Sequence, residues 1–451
     1  MRLVQTKPGQ YERPFDTLET FHRTIAAIGD CFQDGSEHYF VVSPVRIRNK
    51  PDVNDLKQAW KALRHLHPRI AMSIDETGTS CRYTVPTSDA LDQWLNETFI
   101  VHPEEEIDVI SREKLHLRFP VSPFFKLHWL PASQELLFRS PHWYVDGLGM
   151  MMIQDAYLSI LSSPAQHVVF DGSEISRIPP TMDDLIAPNF EITEEAKKAL
   201  EAELQVALSG PEVAVLIEAL PSVEPRHTLR ASRKFSKQET AQITTAFKQR
   251  GLKFAGAVQS ALLLVAARHS APANGRLLYM SIFNIRKYLA TPWNGTAGAS
   301  GIYHTARLHS FNMENGKDYH SISQIQSSFY AESIERTFGF MPLHIQNYTS
   351  MIDVPADVAN VGSFTARAGM SSLGVVDDHL QNRYEGSRYT IEIDDWWIGT
   401  QCLNKELQGH VWTRDGQLHM AIHYNEAFWK NDDVEQFIDE WKSILATEFI
   451  H

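Results

Sequence analysis

His142, Asp146 and Gly147 form a short stretch whose residue types and spacing suit proton transfer. An imidazole has its ordinary pKa near neutrality, so a histidine held at one place can accept a proton there and give it back. The flanking residues supply the holding. Leu136 to Phe138 reads as a strand, and Pro141 ends it because proline cannot donate to a sheet ladder. The Asp146-Gly147 step turns the backbone sharply, and Met150 to Leu161 is apolar and long enough for a helix. His142 is therefore expected at a strand end, anchored on both sides, with its ring projecting into a gap.

Set between a strand and a helix in the N-terminal half, His-x-x-x-Asp-Gly resembles the active-site motif of the coenzyme-A-dependent acyltransferase superfamily. That superfamily includes chloramphenicol acetyltransferase, plant BAHD acyltransferases, peptide-synthetase condensation domains and fungal trichothecene acetyltransferases. Further text resembles it in order. A helix closes on Leu63-x-x-x-His67-Pro68-Arg69-Ile70, as the first helix of condensation-type domains does. Asn284-Ile285-Arg286 follows the strand Leu277 to Phe283, and Ser371-Ser372-Leu373-Gly374 precedes Asp395-Trp396-Trp397-Ile398-Gly399. Leu418 to Asn425 is similar to a condensation-type strand. Plant enzymes carry a tryptophan where Leu373 stands and Asp-Phe-Gly-Trp-Gly where this chain has the 395–399 stretch, so the plant type is disfavoured. The Ser-Ser-Leu-Gly-Val-Val and Asp-Asp-Trp-Trp texts most resemble the fungal trichothecene 15-O-acetyltransferase group.

The resemblance implies an α/β fold of two chloramphenicol-acetyltransferase-like lobes, each a mixed sheet flanked by helices, with the active-site channel between them. It implies an O-acyltransferase that moves an acetyl or short acyl group from acyl-CoA to a hydroxyl of a secondary metabolite. Acyl-CoA is then a co-substrate, with no permanently bound cofactor. His142 is the expected general base, a role worth about 10²–10⁴ in rate. Asp146 is expected to point away from the ring and to pair with Arg286, with Asp395 sharing that arginine. The oxyanion donors are expected from the Gly147 amide and from Ser371 or Ser372, although the two serines read equally well as caps at a strand end. Trp143 and Tyr144 read as packing, and Met150, Met151 and Met152 as core.

Composition narrows the field. In 451 residues there are 42 Lys plus Arg against 55 Asp plus Glu, a net charge of −13. No basic block accompanies this acidity, which argues against nucleic-acid and anionic-membrane binding. Cys31, Cys81 and Cys402 are too few and too scattered for a disulfide framework or a zinc site. His65 and His67 read as helix-end residues rather than metal ligands, and no metal is expected. The N-terminus lacks a signal-peptide core, and the run Ala255 to Ala267 is interrupted by Gln259 and Ser260. A cytoplasmic monomer is the expectation. Lys253 is one basic residue near the second half that could meet CoA phosphates, but nothing in the sequence singles it out.

The division expected is an N-terminal lobe over 1–190, a crossover over 191–228 and a C-terminal lobe over 229–451 that carries the Asn-x-Arg, Ser-Ser-Leu-Gly and Asp-Trp-Trp-Ile-Gly motifs. The spacing predicts helices starting with Asn54 as N-cap, at Thr193, after the Ser236–Glu239 capping box, over Phe254–Arg268 and over Ile322–Arg336. A hairpin about Asp415-Gly416 and a final helix close the chain. Two rival functions remain open. A condensation-type enzyme would draw on a carrier-protein thioester, although Pro141 stands where such domains have the first of two adjacent histidines. A non-transferring descendant would bind or isomerise a metabolite on the same scaffold.

Overall fold

The computed structural model describes residues 3–31, 36–102, 121–164, 168–188, 191–222, 224–316, 318–352 and 365–450. In the first half the principal strands are β1 (Val41–Ile47), β2 (Phe99–Val101), β3 (Lys126–Leu130) and β4 (Glu135–Ser140). In the second half they are β5 (Thr228–Lys234), β6 (Arg276–Asn284), β7 (His304–Asn312), β8 (Ala368–Val375), β9 (Arg383–Glu385), β10 (Thr390–Trp396), β11 (Gly399–Thr400), β12 (Leu407–Arg414) and β13 (Gln417–Asn425). They build two mixed α/β lobes.

Among the described residues the first sheet has seven strands, in the order β9-β10-β1-β4-β3-β2, with β11 also paired to β1. Strand β4 lies inside it, antiparallel to β1 and to β3, and all six of its residues are buried. A strand enclosed on both edges and both faces reads as a continuous run rather than an alternating one. That is why Leu136-Leu137-Phe138 shows no polar face. Pro141 follows directly, and the chain leaves the sheet there.

Helices α1 (Thr17–Ala26), α2 (Val53–Leu66) and α3 (Gly147–Ser162) belong to this lobe. α2 is capped by Asp52, whose side chain accepts from the Asn54 amide, so the cap is two residues earlier than the expected Asn54. α3 lies on the sheet. Its Gln154 amide donates to Ser43 of β1 and accepts the indole N–H of Trp396 on β10 at 2.8 Å. Tyr157 of α3 donates to the Leu56 carbonyl of α2.

The second sheet has six strands among the described residues, in the order β5-β13-β12-β8-β6-β7. β8 runs parallel to both neighbours, but the two pairings differ greatly in extent. It stays with β12 from Ala368 to Val375, whereas it shares a single pair, Ser281 with Met370, with β6. Beyond Met370 the sheet opens, and residues 371–375 diverge from the end of β6. Helix α4 (Glu194–Leu208) begins at its Thr193 cap, and its Ala207 packs with Leu278 of β6 and Leu308 of β7. The expected crossover thus contributes a helix to the second lobe. Helices α5 (Lys237–Gln249) and α6 (Phe254–Arg268) follow, with the capping box at Ser236 and Glu239 formed. α7 (Tyr319–Ala331) stops five residues before the expected Arg336, and a separate turn of helix covers Ile334–Phe340. α8 (Asn431–Phe449) buries Val434, Phe437, Ile438 and Trp441 in the second core.

The lobes are not contiguous in sequence. β9, β10 and β11 leave the second half and complete the first sheet, with Trp396 opposite Val45 and Gly399 opposite Val42. The Asp395–Gly399 motif therefore sits in the first lobe's sheet, not in the expected C-terminal lobe over 229–451. The physical reason is the exposed edge that β1 would otherwise present. Among the described residues no single helix is long and apolar enough to cross a membrane, and α5 and α6 pass that test only as a pair bent by 104°.

Candidate active site

The site begins where β4 ends. Tyr144 N–H bonds the Pro141 carbonyl at 3.2 Å and Val145 N–H bonds that of His142 at 3.4 Å, so the residues after the strand form a tight turn. Asp146 then caps α3, its Oδ1 accepting from the Gly149 amide at 2.7 Å. Its other oxygen reaches into the second lobe. Asp146 Oδ2 accepts from Arg286 Nη1 at 2.7 Å and from the Tyr303 amide at 2.8 Å. Arg286 also donates to the Gly301 carbonyl at 3.0 Å, and the Asn284 side chain accepts from the Arg286 amide, which fixes the turn after β6. Burial works against the Asp146 charge, but Arg286, His304 and the Tyr303 amide outweigh it and hold the carboxyl below its ordinary 3.8. The carboxylate is fully engaged away from the His142 ring.

Two glycines let the lobes close here. A Cβ on Gly149 would lie 2.2 Å from the Ala299 carbonyl of the second lobe, and one on Gly147 would lie 2.6 Å from a methyl of Leu373 on β8. The start of α3 is thus pressed against both the 296–301 turn and the open end of β8. Ser371 and Ser372 precede Leu373 in that strand, partly buried, opposite His410 and Val411 of β12. Neither hydroxyl bonds another group among the described residues, and both lie within the strand rather than capping its end.

Asp395 is placed differently from expectation. It stands opposite Arg46 of β1, 3.7 Å from its guanidinium, and its Oδ1 accepts from the Trp396 amide. It does not share Arg286, because β10 carries it into the first sheet beside β1.

The loop that bears His142 is braced from below by a buried ion network. Arg69 donates to the Trp143 carbonyl at 2.5 Å and to the Tyr144 carbonyl at 3.3 Å, and pairs with Glu19 at 2.6 Å. Arg13 grips the same carboxylate through both of its terminal nitrogens at 2.7 Å. Burial opposes the Glu19 charge, yet the two arginines and the Asp16 amide pull its pKa down to about 2. Glu19 also closes the capping box of α1 with Asp16, so the brace fixes that helix against the loop. Trp143 and Tyr144 are buried packing residues. Trp143 meets Phe15 edge-on at 5.3 Å, and Tyr144 donates to the Met72 carbonyl. Met150, Met151 and Met152 are buried in the first core.

Sequence reading missed what α1 carries to the site. His22 lies flat on His142, with ring centres 3.9 Å apart and planes 14° from parallel. Its Nε2 is 3.0 Å from the Nε2 of His304, the first residue of β7. Three histidines from two lobes therefore share one cluster. His142 is half-buried. Burial pushes its pKa below the ordinary 6.5, partly offset by its own backbone, by Asp146 and by the Val145 backbone. Burial likewise lowers His304 to about 4, and it drives His22 down with His142 and His304 adding to the effect. His410 of β12, bonded to His423 at 3.2 Å, is pushed to about 4 by burial, with Arg230 and His142 contributing. Burial thus disfavours the charged form of every ring in the cluster.

His65 holds Arg177, which donates to its ring and to its carbonyl, and no group of three or more metal-binding side chains occurs among the described residues. Cys81 and Cys402 are free and buried. Lys253 is exposed just ahead of α6, and no contact among the described residues ties it to the His142 turn.

No family model matches the chain. In sequence it is 28% identical to the acetyltransferase pigO of Monascus ruber, covering 98% of this chain and 97% of that protein. It is 23% identical to the O-acetyltransferase pigM of Monascus ruber, covering 98% of this chain and 86% of that protein. In structure it is similar to the TRI3 trichothecene 15-O-acetyltransferase from Fusarium sporotrichioides, with a TM-score of 0.79, 14% identity, and 100% and 98% of the two chains covered. The chain shares the fold of that acetyltransferase. The chain is an acyltransferase, similar to the fungal acetyltransferases pigO and pigM.

Proposed function

We propose that the protein transfers an acetyl or short acyl group from acyl-CoA to a hydroxyl of a small secondary metabolite, with His142 as general base. The observation that carries this reading is the placement of His142. It stands, partly exposed, on a braced turn where the start of α3 meets the open end of β8, while Asp146 is committed to Arg286. A base must be unprotonated before it acts, and burial favours that form.

In the proposed reaction the acceptor hydroxyl attacks the thioester carbonyl as His142 takes its proton. The carbonyl π bond becomes the oxyanion of a tetrahedral intermediate. The Gly147 amide, in the first turn of α3 where backbone donors have no helical partner, and the Ser371 or Ser372 hydroxyl are the proposed oxyanion donors. Collapse re-forms the carbonyl and breaks the C–S bond, and His142 returns the proton to the thiolate. The products are an ester and free CoA. Asp146 and Arg286 act by holding the lobes together rather than by touching the ring.

The similarity to pigO and pigM supports acetyl as the group transferred and a fungal secondary metabolite as the acceptor. The test is thiol release from acetyl-CoA in the presence of hydroxylated polyketides and terpenoids, with the ester identified by mass spectrometry. Acceptor-dependent release with one ester per thiol supports the reading. Transfer from an acyl carrier protein and none from acetyl-CoA would replace the donor. Tight binding or isomerisation of an acceptor with neither transfer would replace the reaction.

A further inference from the structure

Three features of the histidine cluster go unused by a single-base mechanism. The His22 ring covers one face of His142 at 3.9 Å, it is itself tied to His304 at 3.0 Å, and the Nδ1 atoms of His22 and His304 are buried without a partner among the described residues. Burying imidazoles costs free energy unless their nitrogens are paired. Apolar side chains at positions 22 and 304 would fill the same volume at lower cost.

A 3.0 Å approach between the Nε2 atoms of His22 and His304 requires one proton between them: one ring is the donor, and the other must present a lone pair. The pair therefore holds fixed, complementary tautomers. It also spans the lobe junction, since His22 comes from α1 and His304 from β7, one residue after the Tyr303 amide that binds Asp146. His304 is the rivet of the wall and His22 its face.

We propose that His22 and His304 are positioning residues for His142: the hydrogen-bonded pair forms a rigid imidazole wall that fixes the plane of the His142 ring and keeps water off its covered face. This rests on the reading of His142 as the base. Without the wall, water would solvate the charged imidazole and the ring would swing, so the base would be both more often protonated and less often aligned. The charged and titratable groups facing the cluster are Asp146 and Arg286 beside His304, and His410 with Arg230 beyond His142. Changing His22 leaves all of these in place, whereas changing His304 also removes its share in holding the Asp146 carboxyl down.

The test uses the full chain with His22→Ala, His22→Phe, His304→Ala and the double variant His22→Phe/His304→Ala, each checked for folding by circular dichroism. Two measurements are made. One is titration of the His142 imidazole by NMR on histidine-labelled protein, its signal assigned by its loss in His142→Ala. The other is kcat and KM for acyl transfer over pH. His22→Ala is expected to raise the His142 titration by about one pH unit, and to lower kcat about 10- to 100-fold with KM changed far less. His22→Phe keeps a flat ring and excludes water, so it is expected to restore most of the titration and of kcat. His304→Ala is expected to match His22→Ala in the native background and to add little to His22→Phe. If His142 titrates identically in every folded variant, the proposal is overturned. It is equally overturned if His304→Ala is as harmful on top of His22→Phe as it is in the native background. The NMR titration decides the positioning claim even if no variant, wild type included, transfers an acyl group. Such inactivity would count only against the acyltransferase reading.

Discussion

Asp146 lies four residues after His142, yet its carboxylate meets Arg286 Nη1 at 2.7 Å in the other lobe and leaves the imidazole alone. A carboxylate that orients a catalytic histidine must bond its ring. Asp146 instead caps α3 with one oxygen and holds the second lobe with the other, so the histidine and the aspartate are separated in task although adjacent in the motif.

Arg286→Ala is therefore expected to destabilise the protein by about 3–5 kcal/mol, because it leaves Asp146 buried and unpaired. Asp146→Asn should also destabilise, since the amide supplies one accepting oxygen where the carboxylate supplies two, turns its NH2 towards a backbone donor and leaves Arg286 buried without its counter-ion. Thermal unfolding of both variants checks this. Wild-type stability in both would mean that the charge pair does not hold the lobes.

Glu19 predicts an acid limb of stability. Its folded pKa of about 2 lies below the ordinary 4.5, so the contribution is complete above 4.5 and is lost as the pH falls towards 2. The melting temperature of wild type should drop through that window more steeply than that of Glu19→Gln. The variant should also be less stable at neutral pH, having left Arg13 and Arg69 without their carboxylate. Melting temperatures that run parallel for the two proteins between about pH 5 and about pH 2 would remove Glu19 from the brace.

The serines carry a graded prediction. If one supplies an oxyanion hydroxyl, Ser371→Ala or Ser372→Ala lowers kcat about 10²-fold with KM little changed. The other serine is then close to neutral, because successive residues of β8 point to opposite faces. Steady-state kinetics of the two single variants identifies the donor, and two neutral variants would leave the Gly147 amide as the proposed donor.

The strand, turn and helix about His142 are legible in the sequence because each rests on local chemistry: an apolar run, a proline that ends a ladder, an Asp-Gly step that turns the chain, and an apolar stretch of helical length. The same holds for the Ser236–Glu239 capping box, the α6 helix and the Asp415-Gly416 hairpin. What depends on long-range packing is not legible. Nothing in the spacing of His22, His142 and His304 announces a stack, since α1 is held against the loop by the long-range Arg13–Glu19–Arg69 brace. The motif order suggests one contiguous second lobe, and with it a place for Asp395 beside Arg286. The strand that carries Asp395 crosses to β1 instead and meets Arg46. Asp52 displaces Asn54 as the α2 cap by a choice between two adequate residues that local preference does not decide.

The central claim is that His142 is the base, and acyl transfer by His142→Ala tests it most directly. Measured beside wild type across pH, the account predicts a loss of about 10²–10⁴ in kcat/KM. It also predicts a wild-type acid limb below the ordinary 6.5, as burial of the ring requires, and no such limb in the variant's residual rate. A folded His142→Ala protein that keeps the wild-type rate and pH profile would contradict it.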